Sequence, residues 1–234
     1  MRKLAAIVMV ALLVAGLVGG YWMWQSAGKA PSPVEPKTNI TNRENTNSQP
    51  ANSQSETVKE SDYVFPLPDY FSRIKVKRFG QLVKATDKFE VACGAEFAGY
   101  HTGDDLEVLP EEENTGVAVH AAASGKIRQV GNVSGYGGLV VQSASLAGEE
   151  LTVYYGHLNV ASLKVKAGDG VTAGEVLGYL GKGCSTETSG ERKHLHFAIH
   201  KGSGIDVRGY VPGKEDLAAW LDPGETLQSL GAKE

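Results

Sequence analysis

The sequence predicts an all-β domain of the sandwich or barrel class, preceded by a membrane-directed segment and a polar linker. Two observations indicate the β class. Residues 63–210 consist largely of short apolar or alternating runs separated by glycine, and no helical periodicity interrupts them. A sharp change in composition near residue 62 separates the domain from what precedes it. With 41% hydrophobic residues among 234, the chain can bury one good core.

The first segment of the chain is typical of a membrane anchor. Arg2 and Lys3 precede an uncharged run over residues 4–24, which as a helix would be about 31 Å long and match a bilayer core of about 30 Å. Because basic residues stay on the cytoplasmic side, we expect the rest of the chain outside the cell. We predict a retained anchor over residues 1–24 and a single-pass protein of the cell membrane. The alternative is a secreted protein, released by cleavage near Gly28.

A linker over residues 25–62 is predicted to be disordered. It is rich in Ser, Asn, Thr, Gln and Pro and contains no aromatic residue, so it cannot bury a core. As a coil it would span roughly 35 Å, which lets a tethered domain search a layer outside the membrane. The globular domain is expected over residues 63–234, with its core over about 89–200.

The runs that predict strands are spaced as in an all-β domain, and a helical pattern follows them over residues 214–221, where Asp222-Pro223-Gly224 is expected to end it. The predicted strands cover residues 89–92, 116–120, 126–130, 139–143, 151–155, 175–180 and 194–200.

The run 194–200 carries the first functional signal. In a strand, successive side chains alternate, so His194 and His196 share one face while Leu195 and Phe197 point into a core. Two imidazoles on one apolar-backed strand suit a zinc site, because one ring can bind the metal while its neighbour handles a proton.

Two further histidines have neighbours that fit this chemistry. His101 precedes Asp105 by four residues, and His157 ends a strand-like run. A catalytic zinc ion uses three protein ligands and leaves a position for water, and His101, Asp105 and one histidine of the pair supply that number. His-x-x-x-Asp alone is weak evidence. Joined to a His-x-His strand and a strand-end histidine, it predicts a zinc enzyme.

These motifs resemble the signatures of a known family. His101-Thr102-Gly103-Asp104-Asp105, Tyr155-Gly156-His157-Leu158 and His194-Leu195-His196-Phe197 are similar, in this order, to the motifs of the lysostaphin/LytM-type zinc metalloendopeptidases. The resemblance covers about residues 89–199. It implies a β fold of the duplicated hybrid motif type, and hydrolysis of peptide cross-links in bacterial peptidoglycan by attack of a metal-bound water.

The resemblance also implies a role for each motif residue. His101, Asp105 and His196 would hold one Zn²⁺ per chain. His157 and His194 would be catalytic, one taking a proton from the water and the other stabilising the oxyanion, and the sequence leaves open which does which. By the same spacing, Asp105 rather than Asp104 is the expected ligand.

Several other residues allow more than one interpretation. Tyr136 lies in a glycine loop and could reach into the groove or pack on the surface. His120 and His200 match no signature and are expected to be ordinary strand or surface histidines. The family usually has small residues or Pro before His-x-His, and a basic residue is frequent before its first histidine. Here Glu191-Arg192-Lys193 and Tyr100 occupy these places, and we expect them to flank the groove.

The two cysteines, Cys93 and Cys184, are predicted to form a disulfide in an exported domain. Each shortly precedes a segment that bears a proposed ligand, so they could meet where those segments meet. Two buried thiols, or thiolates that bind zinc, are the alternatives.

Other classes of function are weighed against the peptidase. The net charge of −4 and the lack of basic runs argue against nucleic acid as a partner. A non-catalytic exported module that activates another wall hydrolase should have lost ligands, and none is missing. A lipoyl or biotinyl carrier, which residues 164–178 resemble, needs an exposed lysine in its hairpin and normally works inside the cell. The sequence does not indicate the bond cleaved or the oligomeric state.

Overall fold

The computed structural model describes residues 62–87, 93 and 97–234. The predicted anchor over residues 1–24, the linker up to residue 61 and the predicted strand over residues 89–92 lie outside this described part. Within it, no helix combines the length and the apolar character needed to cross a membrane.

The described residues are mostly β-structure, which confirms the predicted all-β class. The strands are β1 (Leu82–Val83), β2 (Gly99–His101), β3 (Gly103–Glu107), β4 (Ala118–His120), β5 (Gly125–Val133), β6 (Gly137–Leu146), β7 (Glu149–Leu158), β8 (Gly170–Val171), β9 (Val176–Tyr179), β10 (His194–Lys201), β11 (Tyr210–Val211) and β12 (Trp220–Leu221). The α-helices are α1 (Tyr70–Arg73) and α2 (Pro223–Ser229), and single 3₁₀ turns cover Pro110–Glu112, Val160–Ser162 and Thr186–Thr188.

A central antiparallel sheet organises the domain. Its strands lie in the order β12, β10, β7, β6, β5 and β8, and β3 also pairs with β10. The first half of β10 therefore lies between β7 and β3, while β12 pairs with its second half. Two small sheets complete the fold: β1, β2 and β11 form one, and β4 and β9 form the other.

The side chains of β10 alternate as predicted. Leu195, Phe197 and Ile199 are fully buried in the larger apolar cluster of the domain. Ala198 faces the other way and belongs to a smaller cluster with Tyr154. Each large apolar side chain that is fully buried stabilises the fold by about 1.5–3 kcal/mol, so the larger cluster is the main source of stability.

The prediction of a helix over residues 214–221 is wrong in its type and its end. The chain forms a 3₁₀ helix over Lys214–Ala219, and then Trp220 pairs with His200 as the start of β12. The Trp220 ring is buried against Tyr154, with centroids 5.5 Å apart. Asp222 begins a helix rather than ending one, because its side chain accepts a hydrogen bond from the Glu225 amide and Pro223 occupies the first turn.

The turn between β5 and β6 is shaped by glycine, as predicted. Gly137 has φ of 63°, and a Cβ at this position would collide with the backbone carbonyl of Glu187. Only glycine combines this left-handed conformation with so close an approach. The turn directs the preceding Tyr136 into the domain, where its side chain is buried.

Candidate metal centre and active site

Three segments bring one ligand candidate each to a single point. His101 ends β2, Asp105 lies in β3 and His196 lies in β10, where the β3–β10 register places it directly opposite Asp105. His101 Nε2 lies 3.0 Å from His196 Nδ1 and 3.2 Å from Asp105 Oδ1, and His196 Nδ1 lies 3.1 Å from the same oxygen. All three side chains are buried.

This arrangement fits a zinc ion. Donor atoms around a tetrahedral zinc lie about 3.3 Å apart, because the zinc–ligand bonds are about 2.0–2.1 Å long. The three atoms have nearly this spacing, and together they form a group able to hold a metal. His101 Nδ1 lies 3.3 Å from the Arg78 carbonyl, so a proton there leaves the lone pair of Nε2 directed at the site.

The electrostatics of the group also favour a metal. Burial lowers the pKa of His196 to about 4, so the ring is neutral and its lone pair is available. Burial acts to raise the pKa of Asp105, but the neighbouring His194, His101 and Arg192 outweigh it and hold that pKa well below its usual value. A carboxylate and neutral imidazoles are the forms that bind zinc.

His157 and His194 lie beside this group. Their ring centroids are 4.4 Å apart, and both side chains are buried. His157 follows Gly156, which pairs with His196 across the β7–β10 ladder, and has φ of 66°, a conformation uncommon for a residue other than glycine. Burial holds its pKa well below the ordinary value, and its Nδ1 has no hydrogen-bond partner among the described residues.

His194 is held through both ring nitrogens. Its Nδ1 lies 2.9 Å from the Arg192 carbonyl, and its Nε2 lies 3.3 Å from Asp105 Oδ2. The proton on Nδ1 can donate to that carbonyl, which fixes the ring orientation.

Tyr136 lies inside the site, so the second of the two sequence-based alternatives, a surface tyrosine, is wrong. Its ring centroid is 5.3 Å from that of His196 and 6.3 Å from that of His157. The ring covers Gly156, where an added Cβ would come within 2.6 Å of Tyr136 Cδ1. Burial raises the pKa of the hydroxyl, which keeps it protonated.

Asp104 and Asp105 point to opposite sides of β3. Asp104 accepts hydrogen bonds of 2.9 Å from the Tyr70 hydroxyl and from the Phe79 amide, away from the histidines. Burial raises its pKa. The alternation of the strand therefore leaves only Asp105 beside the histidines.

The charged run Glu191-Arg192-Lys193 was expected to flank the groove. Glu191 does line the cavity at the site, and all three side chains are buried. Arg192 lies behind Asp105 and donates a 2.9 Å hydrogen bond to its Oδ2. Lys193 donates to three backbone carbonyls of the 112–115 loop. Consecutive charges directly before a buried strand are the signal that could have indicated buried ion pairs.

An aromatic wall beside His101 was not predicted from the sequence. Phe97 and Tyr210 stack with centroids 5.4 Å apart, and the Tyr210 ring lies 5.0 Å from that of His101. The Lys77 ammonium lies 5.7 Å from the centroid of each aromatic ring. Together with the histidines these side chains line a small cavity at the site.

Cys93 and Cys184 are joined in a disulfide, with Cα atoms 5.2 Å apart. The Cys184 amide donates to the Glu191 carbonyl, so the bond lies close to the segment that leads into β10. The other two histidines lie outside the cluster: His120 is in β4, and the His200 ring packs edge-on against Trp220.

Comparison with solved structures found several peptidases. The catalytic domain of the antimicrobial peptidase lysostaphin from Staphylococcus simulans is 24% identical, with a TM-score of 0.44 over 65% of this chain and 92% of that one. LytU is 26% identical, with a TM-score of 0.41 over 66% of this chain and 89% of that one. A zinc-containing peptidase from Vibrio cholerae is 19% identical, with a TM-score of 0.38 over 59% and 36%.

Comparison with curated proteins found no match. The sequence profile of peptidase family M23 matches residues 99–207, the segment that carries the three histidine motifs and both flanking strands of the site. Over these residues the chain matches peptidase family M23.

Proposed function

We propose that the protein is a zinc-dependent endopeptidase that hydrolyses the peptide cross-links of bacterial peptidoglycan. The observation that carries the proposal is the convergence of His101 Nε2, Asp105 Oδ1 and His196 Nδ1 within 3.2 Å of one another, in a domain of a peptidase family. Three buried electron-pair donors at this spacing suit a shared cation, because one ion can accept a lone pair from each of them.

His101, Asp105 and His196 would hold the zinc ion. When bound, zinc supplies a Lewis acid that polarises the scissile carbonyl and lowers the pKa of water to about 7. The protein contributes a fixed set of ligands and a site from which bulk water is excluded, since all three side chains are buried.

His157 and His194 would move the proton and stabilise charge. His157 is proposed as the base, because burial keeps the imidazole neutral and its Nδ1 is without a hydrogen-bond partner in the described region. His194 would orient the scissile carbonyl, since its ring is already fixed by the Arg192 carbonyl. With a proton on Nε2 as well as on Nδ1, it would donate from Nε2 to the oxygen that becomes negative.

The proposed substrate rests on the resemblance of the three motifs and on the family. A peptide bond in the wall is the expected target, and the bond can lie between D-Ala and a diamino acid or within a glycine bridge. We expect no role for nucleic acid, because the chain is acidic and lacks basic runs.

Digestion of purified peptidoglycan by the full chain tests this function. Mass analysis of the soluble fragments should show new peptide ends, which identifies the bond. Removal of zinc by a chelator should stop the release, and added zinc should restore it. The control is the Asp105→Ala chain. If the zinc-loaded wild type releases nothing yet stimulates a second wall hydrolase, the protein is instead an activator.

We also propose that residues 1–24 remain attached as an anchor, so that a single-pass membrane protein carries its peptidase domain outside the cell. The run of 21 uncharged residues after Arg2 and Lys3 supports this, as do the aromatic residues Tyr21 and Trp22 at its outer end. Cell fractionation with N-terminal sequencing is the test. A mature chain beginning near Lys29 in the soluble fraction would contradict the anchor.

A further inference from the structure

The Arg192 guanidinium lies between the proposed ligand Asp105 and two other carboxylates. Nη2 donates to Asp105 Oδ2 at 2.9 Å, Nε donates to Glu107 Oε2 at 2.8 Å, and Nη1 donates to Glu191 Oε2 at 2.9 Å. The side chain is 6% exposed. Nη2 also donates to Glu107 Oε1, so Glu107 binds the Nε side of the guanidinium through both of its oxygens. A buried guanidinium with three carboxylate partners on different sides of its plane is held in one orientation.

The two oxygens of Asp105 are used differently. Oδ1 lies 3.2 Å from His101 Nε2 and 3.1 Å from His196 Nδ1, at the proposed metal position. Oδ2 faces Arg192 and His194. The hydrogen bond from Arg192 therefore prevents the carboxylate from turning and leaves one oxygen, in one direction, for the metal.

The charges around Arg192 are nearly but not fully balanced. Lys77 donates to Glu191 at 2.8 Å, so the buried network contains two cations against the carboxylates of Asp105, Glu107 and Glu191. Two positive and three negative charges leave one net negative charge, and a divalent cation at the site would be attracted to it. Loss of Arg192 alone would leave carboxylates unpaired in a buried region.

We propose that Arg192 is a positioning residue that orients Asp105 for metal binding through Nη2. Its backbone carbonyl, which faces His194 Nδ1 at 2.9 Å, orients the neighbouring proposed catalytic histidine as well. The inference rests on the proposed zinc site and adds to it a residue that touches neither the metal position nor the substrate.

A second buried arginine serves as an internal control. Arg73 is 1% exposed and pairs with Glu112 through two hydrogen bonds of 2.7 and 2.9 Å. It also reaches the end of β3, where it donates to the Glu107 carbonyl, but no contact in the described structure joins it to Asp105. Arg73 thus has the burial and the bidentate pairing of Arg192 without the link to the proposed ligand.

The test compares matched substitutions in the full chain. Arg192→Met removes the donor and keeps an unbranched side chain. Arg192→Met with Glu107→Gln removes one positive and one negative charge, so the net charge of the network stays the same and the folded state is less perturbed. Arg73→Met with Glu112→Gln is the control. Zinc affinity is measured by competition with a chromophoric chelator, and the fold is checked by thermal unfolding.

We expect the zinc dissociation constant of both Arg192 variants to rise by about 10-fold to 100-fold, which is typical when a group that orients a metal ligand is lost. The visible spectrum of the cobalt(II)-substituted protein should change with it. The Arg73 pair should lower the unfolding temperature and leave the zinc affinity within about 3-fold of wild type, as expected for a buried pair that is not hydrogen-bonded to a proposed metal ligand.

Two outcomes would overturn the inference, and they are distinguishable. If the wild-type chain binds zinc and the double variant at positions 107 and 192 binds it as tightly as the double variant at positions 73 and 112, Arg192 is only a structural residue. If the wild-type chain binds no zinc, the proposed function itself fails, and the role of Arg192 fails with it. The double variant decides the question if Arg192→Met does not fold.

Discussion

The two faces of the central sheet carry different kinds of side chain, and β3 and β10 show the difference most clearly. On one face, Leu195 and Phe197 of β10 are fully buried in the larger apolar cluster. On the other face, His196 and Asp105 lie against each other in a group of buried polar side chains. One face stabilises the fold by burial, and the other carries groups that are costly to bury without partners.

The consecutive residues Asp104 and Asp105 show what the environment does to one chemical group. Asp104 accepts from the Tyr70 hydroxyl beside the apolar cluster, and burial raises its pKa. Asp105 is buried as deeply, but His194, His101 and Arg192 outweigh the effect of burial, and its pKa lies well below the usual value. Neighbouring basic groups, rather than exposure, therefore cause the difference in pKa between the two carboxylates.

The largest expected effect is loss of zinc from the polar face. His101→Ala, Asp105→Ala and His196→Ala should each abolish binding of one zinc per chain, because three ligands leave none to spare. Elemental analysis after dialysis measures this. Asp104→Ala is the matched control and should keep its zinc. Full zinc in all three ligand variants would show that the ion binds elsewhere.

On the apolar face, Phe197→Ala should lower the free energy of unfolding by about 3–5 kcal/mol, because it leaves a cavity in the larger cluster. Urea unfolding at neutral pH measures the change. Phe71 is 43% exposed, so Phe71→Ala is a matched control with a smaller expected effect. Equal losses in the two variants would mean that the larger cluster is not the main source of stability.

Substitution of the proposed catalytic histidines should lower the activity without loss of the metal. His157→Ala and His194→Ala should keep one zinc per chain while release of peptides from peptidoglycan falls about 100-fold or more, which is the usual contribution of a proton-transfer or oxyanion group. His120→Ala provides the control, since that residue lies outside the cluster. Wild-type turnover in either variant removes that histidine from the mechanism.

A fall in pH should destabilise the folded, metal-free chain through His196 on the polar face. The pKa of His196 is lowered to about 4 in the folded chain, so the unfolded chain, with a pKa near the ordinary value of about 6.5, binds the proton first as the pH falls. This residue's contribution to the free energy of unfolding should therefore decrease by about 2 kcal/mol between pH 7 and pH 5. Urea unfolding of the chelator-treated chain measures the loss.

His196→Ala is the control for this pH dependence. The variant should lack the part of the decrease in unfolding free energy with falling pH that comes from His196. If wild type and variant lose stability in parallel as the pH falls, another group is responsible.

The smallest change in the free energy of unfolding is expected for a substitution at Asp104. Asp104→Asn keeps the shape of the side chain and an acceptor for the Phe79 amide, and it removes a charge that burial already disfavours. The free energy of unfolding should change by about 1 kcal/mol or less, as thermal unfolding can show. A loss as large as that of Phe197→Ala would mean that the ionised form of Asp104 is essential to the fold.

Local sequence patterns predicted β4, β5, β6, β7, β9 and β10, but not β2, β3 or the two-residue strands. Alternation over residues 126–130 and 194–200 indicated β5 and β10, and the apolar run that begins at residue 139 indicated β6. The two-residue strands β1, β8, β11 and β12 carry no period. The helix predicted over residues 214–221 is wrong because pairing of Trp220 with β10 is stronger than the local helical pattern.

The residues of the site can also be divided into those that the sequence indicated and those that only the structure brought to the site. His194 and His196 share a face by the strand period alone, and the motifs indicated His101, Asp105 and His157 by their resemblance to a family. The ion pairs of Arg192 and Lys77 and the wall of Phe97 and Tyr210 join residues that are far apart in the sequence. The predicted anchor and linker stay predictions.

The sequence by itself determined which chemical groups are available and which strand residues share a face. Only the tertiary structure decided which of these groups meet. Asp105 faces His196 because β3 pairs with β10 in one register, and a shift by one residue would place Asp104 there and turn Asp105 into the core. That register is selected by burial over the whole sheet, which no local stretch of sequence contains.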